Sequence, residues 1–162
     1  MRKMLFTPFI VCVVALLCTA SIPAAHACGR VAPHINGFIK ASGEWTYEVT
    51  IIDQRSVDGY TFIYATEESI WTGTFTGTSH DVFTVVIFPS GRWYAWGLVF
   101  YDGTVDGKSG TLVMYFAGWL NEEWLGRSVI LSGTGDLAKL CGQLTWWGPS
   151  YNLDYSGKIH FN

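Results

Sequence analysis

The chain has little charge and no cluster of positive charge. Charged residues make up 14% of its 162 residues, and no run of Lys or Arg is longer than the pair Arg2-Lys3. Because nucleic acids and anionic membrane surfaces are recognised through basic patches, the sequence predicts neither as a partner. Without the first 27 residues, 8 basic residues face 13 acidic ones, a net charge of about −5.

Recognisable catalytic and metal-binding motifs are also missing. No Gly-x-Ser-x-Gly pattern occurs, which disfavours a serine hydrolase. No His lies close to Cys141 in sequence, so the two cysteines that remain after export do not predict a zinc site. The sequence therefore predicts no metal and no cofactor.

The N-terminus reads as a targeting segment rather than as part of the fold. Arg2 and Lys3 precede an apolar stretch from Met4 to Leu17, and Ala25-His26-Ala27 supplies the small residues of a cleavage site. These features predict a signal peptide over residues 1–27 and an exported single domain over residues 28–162. A retained N-terminal anchor is the alternative.

Only two cysteines remain after such cleavage, since Cys12 and Cys18 leave with the signal. Export to an oxidising compartment favours a disulfide bond between Cys28 and Cys141. The bond would close a loop of 114 residues (28 through 141), worth on the order of 4–5 kcal/mol in the loop-entropy model. A lipid anchor on Cys28 is the alternative, although Ala-His-Ala lacks the large aliphatic residue usual before a lipidated cysteine.

The rest of the chain alternates apolar and polar residues with period two. In residues 42–52, for example, Trp45, Tyr47 and Ile51 share one face. Short Gly, Asn, Asp and Ser punctuation favours hairpins and leaves no room for a crossover helix. The predicted strands are 42–52, 60–77, 80–89, 92–102, 109–119, 123–133, 143–147 and 151–161. Eight antiparallel strands that close on themselves have no free edge, so we predict an all-β closed or nearly closed barrel. Its interior can be filled by side chains or can hold one small molecule.

One stretch, Ser132 to Gly142 (SGTGDLAKLCG), breaks the alternation. Gly133, Gly135 and Gly142 frame Leu137 and Leu140, which are spaced like one helical turn. We predict that this turn plugs one end of the barrel with its two leucines. Asp136 is expected to accept hydrogen bonds from backbone amides at the start of the turn.

This stretch, together with two others, is similar in sequence to a known family of β-barrels. Residues 131–144 (LSGTGDLAKLCGQL) are similar to the glycine-rich pattern near the last strands of allene oxide cyclase barrels, and residues 100–118 and 153–161 resemble a largely uncharacterised microbial branch of that superfamily. The resemblance implies an eight-stranded calycin-like barrel, related to lipocalin-like and dirigent barrels, with an apolar cavity. These motifs specify fold rather than activity, and no catalytic residue is carried over.

Glu67 is the candidate catalytic residue. It shares strand parity with Ile63, Ala65 and Trp71, so an inward-facing strand would place its carboxyl among aromatic rings, raise its pKa and allow it to polarise a ligand. A β-bulge that turns Glu67 to solvent is the alternative. The candidate ligand-binding residues are Trp45, Tyr47, Glu67, Trp71, Phe75, Trp96 and Arg127.

Other polar residues are weaker candidates. Arg127 could bind an anionic group or extend from an apolar face to solvent. Glu44 and Glu48 are expected on the outer face, and His80-Asp81 is expected to cap a turn, with a pH-sensitive or metal-binding pair as the alternative.

Three classes of function follow from these observations. The first is an exported barrel that binds a small hydrophobic molecule in its cavity. The second is a cofactor-free cyclase or isomerase that steers ring closure of a hydrophobic substrate. The third is a structural or interaction barrel with a packed interior, in which the aromatic residues meet a partner or form a homo-oligomer.

Overall fold

Eight antiparallel strands form where the sequence alternates apolar and polar residues. A computed structural model describes residues 37–162, and residues 1–36, with the predicted signal peptide and Cys28, lie outside this range. The strands are β1 (Ile39–Val57), β2 (Tyr60–Gly73), β3 (Phe75–Ile87), β4 (Trp93–Val105), β5 (Lys108–Leu120), β6 (Trp124–Gly133), β7 (Leu140–Gly148) and β8 (Asn152–Phe161).

The strands form a closed barrel in sequence order. Each strand pairs with the next, and β8 returns to pair with β1, where Trp45 lies opposite Trp71 of β2 on one side and Leu153 of β8 on the other. The predicted all-β closed barrel is therefore confirmed. Closure satisfies the hydrogen bonds of both edges, which an open sheet of this size would leave exposed.

Some of the turns lie at the glycines between the predicted strands, and others do not. Asp58 and Asp106 both have positive φ and are followed by Gly59 and Gly107, also with positive φ, which is the pattern of a two-residue hairpin turn. The predicted turn at residues 77–79 is wrong, because β2 already ends at Gly73.

Two predicted turn glycines instead lie inside strands. Gly77 of β3 and Gly103 of β4 face each other across the sheet. A Cβ at Gly77 would collide with the carbonyl oxygen of Asp102, and one at Gly103 with the carbonyl oxygen of Thr76. Glycine is needed here because the backbones approach closely, not because the chain reverses.

The segment between β6 and β7 closes one end of the barrel. A 3-10 turn, Gly135–Leu137, places Leu137 in the interior with no exposed surface, and Leu140 is also buried. Gly135 has positive φ, as the tight reversal requires. The residue that caps the turn is Thr134, which makes no side-chain cap hydrogen bond; its hydroxyl accepts the backbone N–H of Thr111 instead (3.2 Å).

The half of the barrel next to this plug is packed solid with aromatic and aliphatic side chains. Tyr155 of β8 ties this region together: its hydroxyl accepts the backbone N–H of Phe75 and donates to the carbonyl of Thr72, both at 2.9 Å. The core cluster contains, among others, Phe75, Tyr101, Val105, Leu112, Met114, Leu137, Leu144, Tyr155 and Ile159. The space available to a ligand therefore lies in the other half. Within residues 37–162, no helix has the length and apolar character to cross a membrane.

Candidate functional site

The end of the barrel opposite the plug contains a cavity of about 350 Å³. It extends from the strand ends near Ile51, Trp93 and Ser150 to the edge of the packed half. Its walls are almost entirely apolar. They are formed by Trp45, Tyr47, Val49, Ile51, Ile63, Ala65, Glu67, Trp71, Asp81, Phe83, Val85, Trp93, Ala95, Val99, Phe116, Leu120, Trp124, Ser128, Trp146, Ser150 and Leu153.

Three tryptophans form the floor of the cavity, because they line it and also belong to the packed core. The rings of Trp45 and Trp71 are stacked with centroids 4.4 Å apart, and Trp146 stands edge-on to Trp45 at 6.1 Å. Two indole N–H groups are held by buried hydroxyls: Trp71 donates to Ser79 (3.0 Å) and Trp146 to Ser128 (3.1 Å). Rigid aromatic faces are thus presented to the cavity.

Two carboxyl groups enter this apolar space side by side. Glu67 on β2 and Asp81 on β3 are directly opposed in the strand register, so their side chains leave adjacent backbones on the same face. The hydroxyl of Ser69 donates to Glu67 Oε1 at 2.8 Å. Asp81 is only 4% exposed; it is hydrogen-bonded to Ser79, but its Oδ1 has no hydrogen-bond partner among residues 37–162.

Burial raises the pKa of both carboxyls, and repulsion from Glu67 raises that of Asp81 further. Desolvation is the main cause that raises the pKa of Glu67 to about 7, while hydrogen bonding to Ser69 and Trp45 partly opposes the rise. Desolvation, followed by repulsion from Glu67, raises the pKa of Asp81 to about 8. The neighbouring Tyr47 hydroxyl also has a raised pKa, from burial and then from Glu67. Near neutral pH the pair therefore retains a proton that it can share or release.

The sequence-predicted ligand residues fall into three groups. Trp45, Tyr47, Glu67 and Trp71 line the cavity together. The alternative in which a bulge turns Glu67 outward is wrong, since the β2–β3 register runs without a shift through this position. Phe75 lies deeper, fully buried in the packed half, where its ring contacts the other core rings rather than the cavity.

Arg127 lies on the outer surface of the barrel. The inner face of β6 carries small residues at Gly126 and Ser128, because the indole of Trp146 packs over them and a Cβ at Gly126 would collide with that ring. The larger apolar side chains Leu125 and Val129 consequently face outward with Arg127. Placing Arg127 at the ligand was therefore wrong.

Trp96 is also on the outer face. Its strand is apolar on both faces, and the inward residues are Trp93, Ala95 and Val99. Trp96 lines a shallow surface hollow formed with Val86, Phe88, Tyr94 and Tyr115. The prediction of Trp96 as a cavity residue was wrong because the alternation of this strand does not show which of its two apolar faces points inward. The prediction of a homo-oligomer stays a prediction.

The remaining polar candidates also have defined positions. Glu44 and Glu48 are exposed on the outer face, as expected. His80 lies within β3, not at a turn, and its Nδ1 is 2.6 Å from the Glu68 carboxylate on the outer face. In residues 37–162 no group of three or more His, Cys, Asp or Glu is arranged to hold a metal ion.

Sequence reasoning considered Asp81 only as half of the His80-Asp81 pair and did not place it in the cavity. Its neighbour His80 drew attention to a turn, although Asp81 alternates with Phe83 and Val85, both cavity residues. That alternation was the available signal. Cys141 takes part in a disulfide bond, and the predicted partner Cys28 lies outside the described residues, so the pairing itself stays a prediction.

The fold and the site together define a class: an eight-stranded antiparallel barrel plugged at one end, with an apolar, acid-bearing cavity at the other. No protein-family model matches the chain, and no curated protein matches it. Among solved structures it is similar to a protein of unknown function from the DUF3224 family of Shewanella oneidensis MR-1, with a TM-score of 0.69. That alignment covers 78% of this chain and 98% of the other, at 15% identity, which shows a shared fold.

Proposed function

We propose that this protein binds a small hydrophobic molecule in the cavity at the open end of its barrel. The observation that carries the proposal is the cavity itself. Its volume of about 350 Å³ lies within the range of about 300 to 1,000 Å³ typical of ligand pockets, and its lining is mostly aromatic and aliphatic with a few convergent polar groups. Resemblance to the allene oxide cyclase barrels agrees with an apolar cavity, although it stays a prediction.

A cavity-filling variant tests this function. Ala95 points into the cavity, so Ala95→Leu should occupy part of the space and weaken binding of the neutral fluorescent probe N-phenyl-1-naphthylamine at least tenfold. Ala117, on the neighbouring strand, faces outward, and Ala117→Leu is the matched control that should bind like wild type. Equal probe affinity in both variants, or no probe binding by the wild type, would contradict the proposal.

A cyclase or isomerase is a second candidate, favoured by the acid pair. A carboxyl with a pKa near 7 can donate and accept a proton at neutral pH, as proton-transfer catalysis requires. Native mass spectrometry of protein purified from its own host would identify a co-purifying molecule. Chemical conversion of that molecule by the wild type, together with retained binding but no conversion by Glu67→Gln, would support the enzyme. Binding without conversion by the wild type would exclude it for that molecule.

A further inference from the structure

Among residues 37–162, no positively charged side chain lines the cavity beside the acid pair. Glu67 and Asp81 face each other across β2 and β3, and none of the residues that line the cavity is Lys, Arg or His. Glu67 is hydrogen-bonded to Ser69 and Trp45, and Asp81 to Ser79, but Asp81 Oδ1 is buried with no partner among residues 37–162. Buried carboxyl oxygens are normally hydrogen-bonded, and each exception needs an explanation.

The chemistry of the site favours an organic cation over a metal ion. A divalent metal would need further oxygen or nitrogen ligands, and the described part of the chain offers no third acidic, His or Cys side chain at the pair. An ammonium group has a single charge and several N–H donors, so it can bond both carboxyls at once.

The aromatic floor suits the same ligand. Trp45 and Trp71 line the same cavity as the carboxyls, and Trp45 is hydrogen-bonded to Glu67. An indole ring attracts a cation that lies near its face. Toward the mouth, Ile63, Phe83 and Val85 offer a purely apolar wall for the rest of the molecule. A cationic head at the floor and a hydrophobic body toward the mouth therefore match the two parts of the cavity.

We infer that the cavity binds a small hydrophobic amine as its ammonium ion, with Glu67 and Asp81 accepting hydrogen bonds from the nitrogen. This inference rests on the proposed function and specifies its ligand class. The ligand supplies the positive charge that the pair lacks and a donor for Asp81 Oδ1, while the tryptophans and aliphatic residues enclose its carbon skeleton.

Amine binding must be coupled to loss of a proton from the pair. The other groups near the carboxyls are Tyr47 on β1 and, on the outer face, Glu68; the residues directly opposite on β1 and β4 are Val49 and Val99. With no cation nearby, the pair holds a proton near neutral pH, and an arriving ammonium favours its release. Affinity for the amine should therefore rise between about pH 6 and pH 8.

Calorimetry with a matched pair of ligands tests the inference. We expect 2-(1-naphthyl)ethylamine to bind wild-type protein at least about tenfold more tightly than 2-(1-naphthyl)ethanol at pH 7.5, because charge-assisted hydrogen bonds replace neutral ones. Titrations in phosphate and in Tris, whose ionisation enthalpies differ, should show release of a proton on amine binding and none on alcohol binding. This buffer comparison uses the wild type alone and does not depend on any variant folding.

Variants then locate the interaction. In Glu67→Gln/Asp81→Asn the preference for the amine should fall to within about twofold, while the alcohol affinity changes less than about threefold. Asp154→Asn removes an exposed carboxylate of β8 and should preserve the preference.

The outcomes separate this inference from the proposed function. Equal affinity for amine and alcohol, with both weakened by Ala95→Leu, would overturn the amine inference and leave hydrophobic binding intact. An amine preference that survives in the double variant would also overturn it. If the amine, the alcohol and the neutral probe all fail to bind, both the amine inference and the proposed function are refuted.

Discussion

Raising the pH from 5 to 9 should destabilise the folded protein through Glu67 and Asp81. Both carboxyls have a higher pKa in the folded chain than in the unfolded chain, so between the two values the folded state holds protons that unfolding releases. The free energy of unfolding therefore falls as pH rises through this window. Their contribution is fully present below about pH 4 and is lost once the pH passes the folded values of about 7 and about 8.

The size of the effect follows from the pKa values. One pKa unit corresponds to about 1.4 kcal/mol, so a rise of the Glu67 pKa from 4.5 to about 7 amounts to about 3 kcal/mol. The raised pKa of Asp81 increases the loss of stability further. The two contributions do not add fully, because part of the rise in the Asp81 pKa comes from repulsion by the ionised Glu67. We expect a total loss of about 3 to 6 kcal/mol between pH 5 and pH 9.

Urea unfolding followed by tryptophan fluorescence measures this loss. Asp81→Asn and Glu67→Gln replace each acid by a neutral amide, so each should be more stable than wild type at pH 9 and show no such gain at pH 5. The double variant should be nearly independent of pH over this range, apart from the other titrating groups that it shares with wild type. Asp154→Asn, an exposed carboxylate, should follow the wild-type curve. The reasoning is refuted if wild type loses less than about 1 kcal/mol, or if the double variant loses as much as wild type.

Two further predictions concern the packed half of the barrel. Leu137→Ala should lower the free energy of unfolding by about 2–5 kcal/mol, since Leu137 has no exposed surface and its removal leaves a cavity; a loss below about 1 kcal/mol in urea unfolding would show that the plug is not part of the core. Gly103→Ala should destabilise the protein because its Cβ would meet backbone of the paired strand, whereas Gly37→Ala, with open space around it, should leave the melting temperature unchanged; equal melting temperatures would contradict the close approach.

The strand pattern was readable because burial on one face imposes period two. In β1, Trp45, Tyr47, Val49 and Ile51 line the cavity as their alternation indicated. Burial of Trp45 holds this register, since a slip of one residue would turn it outward, whereas Val49 and Ile51 at the mouth stay partly exposed. The positions of the turns were harder to predict from the sequence. A glycine that permits a reversal and a glycine that permits close contact look the same in sequence, so Gly59 was placed correctly and Gly77 was not.

In strands that are apolar on both faces, the alternation of residues does not show which face points into the barrel. In β6, Leu125 and Val129 point outward because Trp146, from β7, occupies the interior over Gly126 and Ser128. The apparent hydrophobic face of β6 was therefore the outer one, and Arg127 was assigned to the wrong side. The sequence of β6 alone does not show that the Trp146 indole, from another strand, determines which face of β6 points inward.

The sequence by itself determined the eight strands, their antiparallel order and the plug at Leu137, because each depends on residues close in the chain. It left the direction of Glu67 open between the cavity and a bulge that turns the side chain to solvent, and the unshifted β2–β3 register decided that direction. Only the tertiary structure decided that the barrel is solid at one end and hollow at the other. It also decided that Asp81 stands beside Glu67. That pairing depends on the register between two strands and on the low dielectric of a shared cavity, and neither is encoded in a local pattern.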